Sequence, residues 1–321
     1  MSRPRLAYSE PYTQAFMIRI LGTVYGALTG LAFGSFLNVC ITRWPAHESV
    51  VRPRSHCRSC GRALAWWENV PVVSWLVLRG RCRTCRAWIG WRYPLVELAV
   101  GAAWAAAAWR AMPALYSPGW TAISIFDAVY FATEQMMLCW LLIGLAVLDL
   151  EHFWLPDWLT LGGAALGIPI NLLRFTVHFV WYTIPLHWTT ESELTTHRAH
   201  IFDVVVRWVI GIVLAPAFIL GTRWVYRALR GREGMGMGDA KLMLLLAAWL
   251  GLSHTVLAFV LGVVLGAAAA VVVLAVPSLR RRSKSWALTK LPLGTFLCVG
   301  GIVSALCGGR IIDTYLRLAG F

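Results

Sequence analysis

Charge is scarce in this sequence. Only 14% of its 321 residues are charged, against 59% hydrophobic. A water-soluble domain of this length needs far more polar surface, so that class is excluded. Acid is rarer still: 15 Asp and Glu stand against 29 Lys and Arg, a net charge of +14. No internal repeat and no low-complexity tract is evident. The first apolar run lacks a small-x-small cleavage site, so it reads as a retained span rather than a signal peptide.

Long apolar runs are what the chain has. About eight reach the length that crosses a hydrocarbon core of roughly 30 Å. They are Ile20–Ile41, Pro94–Ala111, Ile123–Leu148, Trp158–Leu173, Val204–Val225, Ala240–Leu252, Thr255–Val276 and Leu291–Gly308. The sixth is short for a span. The expected class is an all-α polytopic membrane protein.

The basic residues are unevenly spread. Eight spans put segments 43–92, 226–239 and 277–290 on one side, and these hold most of the Lys and Arg. The loops near 112–122 and 175–202 carry only Arg198. That bias makes the basic side cytoplasmic and sets both termini outside. Anionic lipid headgroups, not nucleic acid, account for such a face.

The stretch from Gly234 to Leu242 sets Asp239 after a glycine run, at the mouth of an apolar helix. No strand precedes it, so a nucleotide-binding loop is a weak reading. The glycines suit close approach of the backbone to another segment. A carboxylate at the edge of the hydrocarbon needs a partner or a task. Asp149, at the end of the third span, is the candidate partner. Glu151 and Asp157 share its loop, and sequence chemistry does not choose among the three. Asp157, after Pro156, also suits an N-cap. Two carboxylates brought together could share a proton and activate a water, as in an aspartic protease. Their helix ends suggest Asp239 as the base and Asp149 as the acid.

Segment 43–93 is the one substantial polar stretch. Cys57-Arg-Ser-Cys60 and Cys82-Arg-Thr-Cys85, with 21 residues between the pairs, match a four-thiolate zinc site. A reducing cytosol argues against two disulfides. Arg58, Arg81, Arg83 and Arg86 would favour thiolates. Cys40, Cys139, Cys298 and Cys307 lie in apolar runs and read as small core residues. Trp66, Trp67, Glu68 and Trp75, between the knuckles, would lie on the membrane surface or pack on the lobe. Gly34, Ser35 and Asn38 read as helix-packing residues, and Glu97 as an interfacial anchor. Asp127 and Glu134 call for partners on another helix. His178, His187, His197 and His200 fit no tight metal spacing and read with their aromatic neighbours as an interfacial belt.

Taken together, Gly34-Ser-Phe-Leu-Asn-Val39, the two Cys-x-x-Cys pairs, Arg92-Tyr-Pro-Leu-Val-Glu97, Asp149 through Asp157, Gly236-Met-Gly-Asp239 and Pro292-Leu-Gly294 resemble the bacterial type IV prepilin peptidases. These are bifunctional leader peptidase/N-methyltransferases of pilus and type II secretion systems, and the resemblance spans nearly the whole chain. It implies a multi-pass enzyme of the bacterial inner membrane, with Asp149 and Asp239 as the catalytic pair. Substrates would be prepilins or pseudopilins, cleaved on the cytoplasmic side. It also implies methylation of the new N-terminus with S-adenosylmethionine, for which it points to Gly80 in the lobe. The parts would be 1–42, an N-terminal segment with the first span; 43–93, a small cytoplasmic zinc-binding lobe; and 94–321, a seven-helix peptidase domain. The sequence departs from the family twice. The loop at 175–202 is longer than usual, and Thr295 stands where a proline often follows Pro-x-Gly. Two rival readings are a proton-coupled transporter, with acids deep in its spans, and a non-catalytic zinc-bearing scaffold.

Overall fold

The computed structural model of the chain describes residues 10–112, 122–183, 191–231, 236–275 and 292–320. Helices dominate, and no β-strand occurs among the described residues, only two isolated bridges. We number the helices α1 (Glu10–Arg43), α2 (Val73–Val77), α3 (Arg92–Ala111), α4 (Ala122–His152), α5 (Asp157–Thr183), α6 (Glu191–Arg230), α7 (Met237–Ala275) and α8 (Leu293–Leu318). Six of them, α1 and α4 through α8, are long and apolar enough to cross a membrane. The chain is therefore an all-α, multi-pass membrane protein.

Helix α3 has the 20 residues a span needs. Arg92, Glu97 and Arg110 make it less apolar than the six. The runs expected at 240–252 and 255–276 form one element, α7, broken at Gly251, where φ is 72° and ψ 178°. Only glycine adopts that backbone without strain. The Thr255 hydroxyl donates to the Gly251 carbonyl at 2.7 Å. With α3 and the second half of α7, the six become the eight expected spans.

The loop expected at 175–202 is largely helix. α5 runs on to Thr183 and α6 starts at Glu191. Sequence hydropathy sets an end where apolarity stops. The stretch 191–202 has neither Gly nor Pro to stop the helix there. Residues 184–190, with His187, lie outside the described residues. So do the basic run 280–284 with the rest of the 277–290 loop, residues 1–9, and most of the 112–122 loop.

The chain divides into two compact units, Met1–Gly144 and Leu145–Phe321. In the first, α1 crosses α3 at glycines. A methyl at Gly34 would stand 2.7 Å from the Glu97 Cα, and one at Gly30 would stand 2.9 Å from the Gly101 Cα. Only bare backbone allows such an approach. Asn38 Nδ2 donates to the Tyr93 carbonyl at 2.9 Å, and Arg92 to the Thr42 hydroxyl at 2.7 Å. Glu97, expected as an exposed anchor, is instead buried and accepts the Val72 N–H at 2.7 Å. It fastens the polar lobe to α3.

In the second unit, α7 meets α8 at Gly262 and Gly300. A methyl at Gly300 would overlap the Ala258 carbonyl. Trp249 and Trp208, both buried, give their indole N–H to the carbonyls of Gly163 (2.8 Å) and Ala248 (3.0 Å). Buried indoles need such acceptors. Cys40, Cys139 and Cys298 are core residues as expected, but Cys307 is exposed on α8.

Candidate active site and metal centre

Asp149 sits in the last turn of α4. The helix stops at His152, and Phe153 turns into the left-handed region at φ 50°. Leu155-Pro156 then leads into α5. Asp239 lies in the first turn of α7. Each carboxylate is more than nine-tenths buried.

Three chain segments converge here. The Thr295 N–H donates to Asp149 Oδ2 at 2.7 Å, and its hydroxyl lies 3.1 Å from the same oxygen. The hydroxyl also reaches the Ala146 carbonyl at 3.0 Å. The Gly236 N–H donates to Asp239 Oδ2 at 3.2 Å. The two carboxylates are close enough to repel each other. The Cys298 thiol, further along α8, is fully buried.

Glycine makes the convergence possible at two points. A methyl at Gly238 would stand 3.0 Å from Leu155 Cδ1, and one at Gly294 would stand 2.9 Å from that atom and from Asp149 Oδ2. Leu155 thus seats against the starts of both α7 and α8. Of the glycines before Asp239, Gly238 serves close backbone approach, as expected, and Gly234 lies outside the described residues.

Of the three acids in the 149–157 loop, only Asp149 meets this cluster. Glu151 is exposed, 3.9 Å from His152 Nε2. Asp157 binds Lys241 Nζ at 2.5 Å, with its side chain 65% exposed. Its carboxylate goes to that lysine rather than to the free N–H groups of α5. Sequence reasoning named Gly294 and Thr295 without placing them against Asp149, which both of them touch, and gave Leu155 and Lys241 no role. A signal for Thr295 was present: Pro292 opens a helix whose first N–H groups need an acceptor.

The four cysteines of the lobe come together. The sulfurs of Cys57, Cys60, Cys82 and Cys85 all lie within 4.8 Å of one another, and those of Cys57 and Cys85 are 3.7 Å apart. Zinc–sulfur bonds of about 2.3 Å in a tetrahedron put sulfurs roughly 3.8 Å apart. The cluster fits a metal ion of that kind and leaves no open coordination position.

The two knuckles, alike in their Cys-Arg-x-Cys sequence, also repeat each other in backbone hydrogen bonds. Cys57 N–H donates to the Arg62 carbonyl and Gly61 N–H to that of Cys57. Likewise Cys82 N–H donates to Ala87 and Arg86 N–H to Cys82. Gly61 has φ 71°, and Arg86 takes the matching place at φ 59°. The backbone N–H groups of Cys85 and then Thr84 hold the Cys82 thiol down to about 6, so it meets a cation as a thiolate.

Between the knuckles, Glu68 is buried. Arg62 donates to its Oε1 at 2.6 Å and the Ala65 N–H to its Oε2 at 2.7 Å. The Arg62 bond, opposed by burial and helped by Ala65, holds this carboxyl below the usual range. The tryptophans divide: Trp66 is 81% exposed, whereas Trp75 packs inside the lobe and donates to the Ile89 carbonyl at 3.0 Å.

Gly80 is buried, with φ 65°. A methyl there would stand 2.8 Å from Trp88 Cζ3 and 2.9 Å from Trp75 Cζ2. Trp75, Trp88 and Trp91 form one ring cluster, with centroids 4.3 to 6.1 Å apart. The indoles fill the space beside Gly80, so what it gives the lobe is shape.

Comparison with known proteins finds two family models. Residues 28–111 match the Bacterial Peptidase A24 N-terminal domain, and residues 136–271 match the Type IV leader peptidase family. A Pseudomonas aeruginosa protein named prepilin leader peptidase/N-methyltransferase is 31% identical over 99% of both chains. A Burkholderia pseudomallei protein of that name is 34% identical over 92% of this chain and 88% of its own. An Escherichia coli type 4 prepilin-like proteins leader peptide-processing enzyme is 32% identical over 71% of this chain and 77% of its own. No solved structure matches.

Proposed function

The chain belongs to the type IV leader peptidase family, and on that premise we propose that it removes the leader from prepilins and pseudopilins and methylates the N-terminus so exposed. The observation that carries the peptidase reading is the meeting of Asp149 and Asp239, two buried carboxylates, at the starts of α7 and α8.

In this reading one acid is ionised and takes a proton from a water. The water's oxygen attacks the scissile carbonyl carbon. The protonated acid donates to the carbonyl oxygen as charge develops there. Collapse of the tetrahedral species breaks the C–N bond, and the leaving amine takes up a proton. Two like charges held close cannot both form easily, so the ionisations belong to the pair. Glu151 and Asp157 take no part. A proton-coupled transporter would need acids deep in its spans, whereas Asp149 and Asp239 stand at helix ends.

Cys57, Cys60, Cys82 and Cys85 would hold zinc in a structural role. Four thiolates close its coordination shell, leaving none open for catalysis. When bound, S-adenosylmethionine supplies the methyl group. Gly80 is its candidate site residue, acting by allowing Trp75 and Trp88 to close. Functionally the chain divides into residues 1–42, the zinc lobe 43–93 and the peptidase helices 94–321. The basic segments support a cytoplasmic position for the lobe and both acids, at the bacterial inner membrane. There the lipid headgroups and the basic leader of a membrane-inserted prepilin are both in reach.

Mass spectrometry of a prepilin incubated with the purified chain and S-adenosylmethionine tests this. A shortened product carrying one added methyl is expected. Intact prepilin, tried with several substrates, would overturn it.

A further inference from the structure

We propose that the groove between the end of α1 and the turn 49–55 binds one anionic phospholipid, with the phosphate at Arg54 and an acyl chain along Phe36 and Val39.

The groove encloses about 430 Å³, and all of its lining lies in the first unit. One wall is α1, whose last residue, Arg43, is more than nine-tenths buried. Its Nη1 donates to the Ser49 carbonyl and its Nη2 to the Pro53 carbonyl, each at 2.8 Å. The turn is thereby folded back over the arginine, and it supplies Val51, Arg54 and Ser55 to the lining. The Leu64 N–H donates to the Ser55 carbonyl at 2.9 Å, which ties this turn to the first knuckle. The groove is thus built on bonded backbone.

Its two ends differ in polarity. Phe36 and Val39 lie two turns and one turn before Arg43, so the groove reaches roughly 10 Å along the apolar run of the first span. Phe36 is half exposed there, as a lipid-facing side chain would be. The other end has Arg54, Ser55 and Asn69, beside Trp66, whose exposed indole suits the headgroup level. Arg54 is exposed, and among the described residues it has no carboxylate partner. No Asp or Glu among the described residues lines the groove.

A phospholipid has the same gradient from charge to hydrocarbon. A guanidinium takes a phosphate through two parallel N–H bonds. Other ligands match less of the lining. A small free anion would leave the apolar end empty. The apolar helix of a prepilin would leave Arg54 without a partner. S-adenosylmethionine carries more positive than negative charge, and the lining would meet it with two arginines.

The basic lobe attracts anionic lipid over its whole surface, so the test must separate one arginine from its neighbour. Arg52 stands in the same turn but does not line the groove. Wild type, Arg54→Gln and Arg52→Gln proteins would be placed in nanodiscs of equal phosphatidylglycerol and phosphatidylcholine. Each would then be moved to detergent and read by native mass spectrometry, with thermal unfolding as a check on folding. Wild type is expected to keep one phosphatidylglycerol per chain in preference to phosphatidylcholine. Arg54→Gln should keep several-fold less, and Arg52→Gln as much as wild type.

Equal losses in the two variants would mean a diffuse basic surface and overturn the site. So would full retention by Arg54→Gln, equal retention of the two lipids, or a wild type that keeps neither. Release of the lipid by added S-adenosylmethionine or prepilin would give the groove to that ligand and overturn the proposal as well.

Discussion

Gly294 presses its α-carbon against the Asp149 carboxylate: a methyl in its place would lie 2.9 Å from Oδ2. It would lie equally close to Leu155 Cδ1, so no direction is free. Thr295, the next residue, bonds the same oxygen. Gly294→Ala should therefore lower prepilin cleavage by about tenfold or more, while the protein still folds. Steady-state kinetics with a thermal unfolding control would check this. Unchanged kcat would mean that the carboxylate has room to move.

The acids of the 149–157 loop should separate by function. Glu151→Gln and Asp157→Asn are expected to keep cleavage within about two-fold of wild type, since neither carboxylate meets the cluster at the start of α8. Asp157→Asn loses an ion pair that is 65% exposed on the aspartate side. Such pairs contribute about 1 kcal/mol or less. A gel-based cleavage assay suffices. A large loss in either variant would add that residue to the machinery.

The hydrophobic runs made the spans legible, because roughly 20 apolar residues leave few alternatives. Even the break in α7 was visible, as the end of the short sixth run, which the structure places at Gly251. Contacts between distant segments were not legible. Nothing local to Asp149 announces that the N–H of Thr295 will reach it, so the sequence left three acids in play. Glu97 likewise looked like an anchor because its acceptor role depends on the Val72 N–H, a lobe group. The shared Cys-Arg-x-Cys shows the two knuckles to be alike, but their matching left-handed turns do not show, because Arg86 stands where the first knuckle has Gly61.

The lobe should carry one zinc ion per chain. Elemental analysis of the purified protein would measure it, and Cys57→Ser or Cys82→Ser should lose most of it. Removing one thiolate leaves an open, weaker site, so these proteins should also unfold at lower temperature. A wild type without metal would show the four thiols to be merely close.

Gly80→Ala should separate the two activities. The new methyl meets Trp88 and Trp75 at 2.8 and 2.9 Å, and the backbone at φ 65° disfavours any side chain. The lobe then opens, while Asp149 and Asp239 are untouched. Mass spectrometry of the product should find cleaved but unmethylated pilin. Full methylation would remove Gly80 from the account of that activity.

The most direct test uses Asp149→Asn and Asp239→Asn, which keep the size of each side chain and remove its ionisable group. Cleavage of a prepilin by the detergent-purified proteins would be followed beside wild type. Both variants should fold like wild type and cut nothing detectable. Near-normal cleavage by either one would contradict the pairing of these two carboxylates as the catalytic acids.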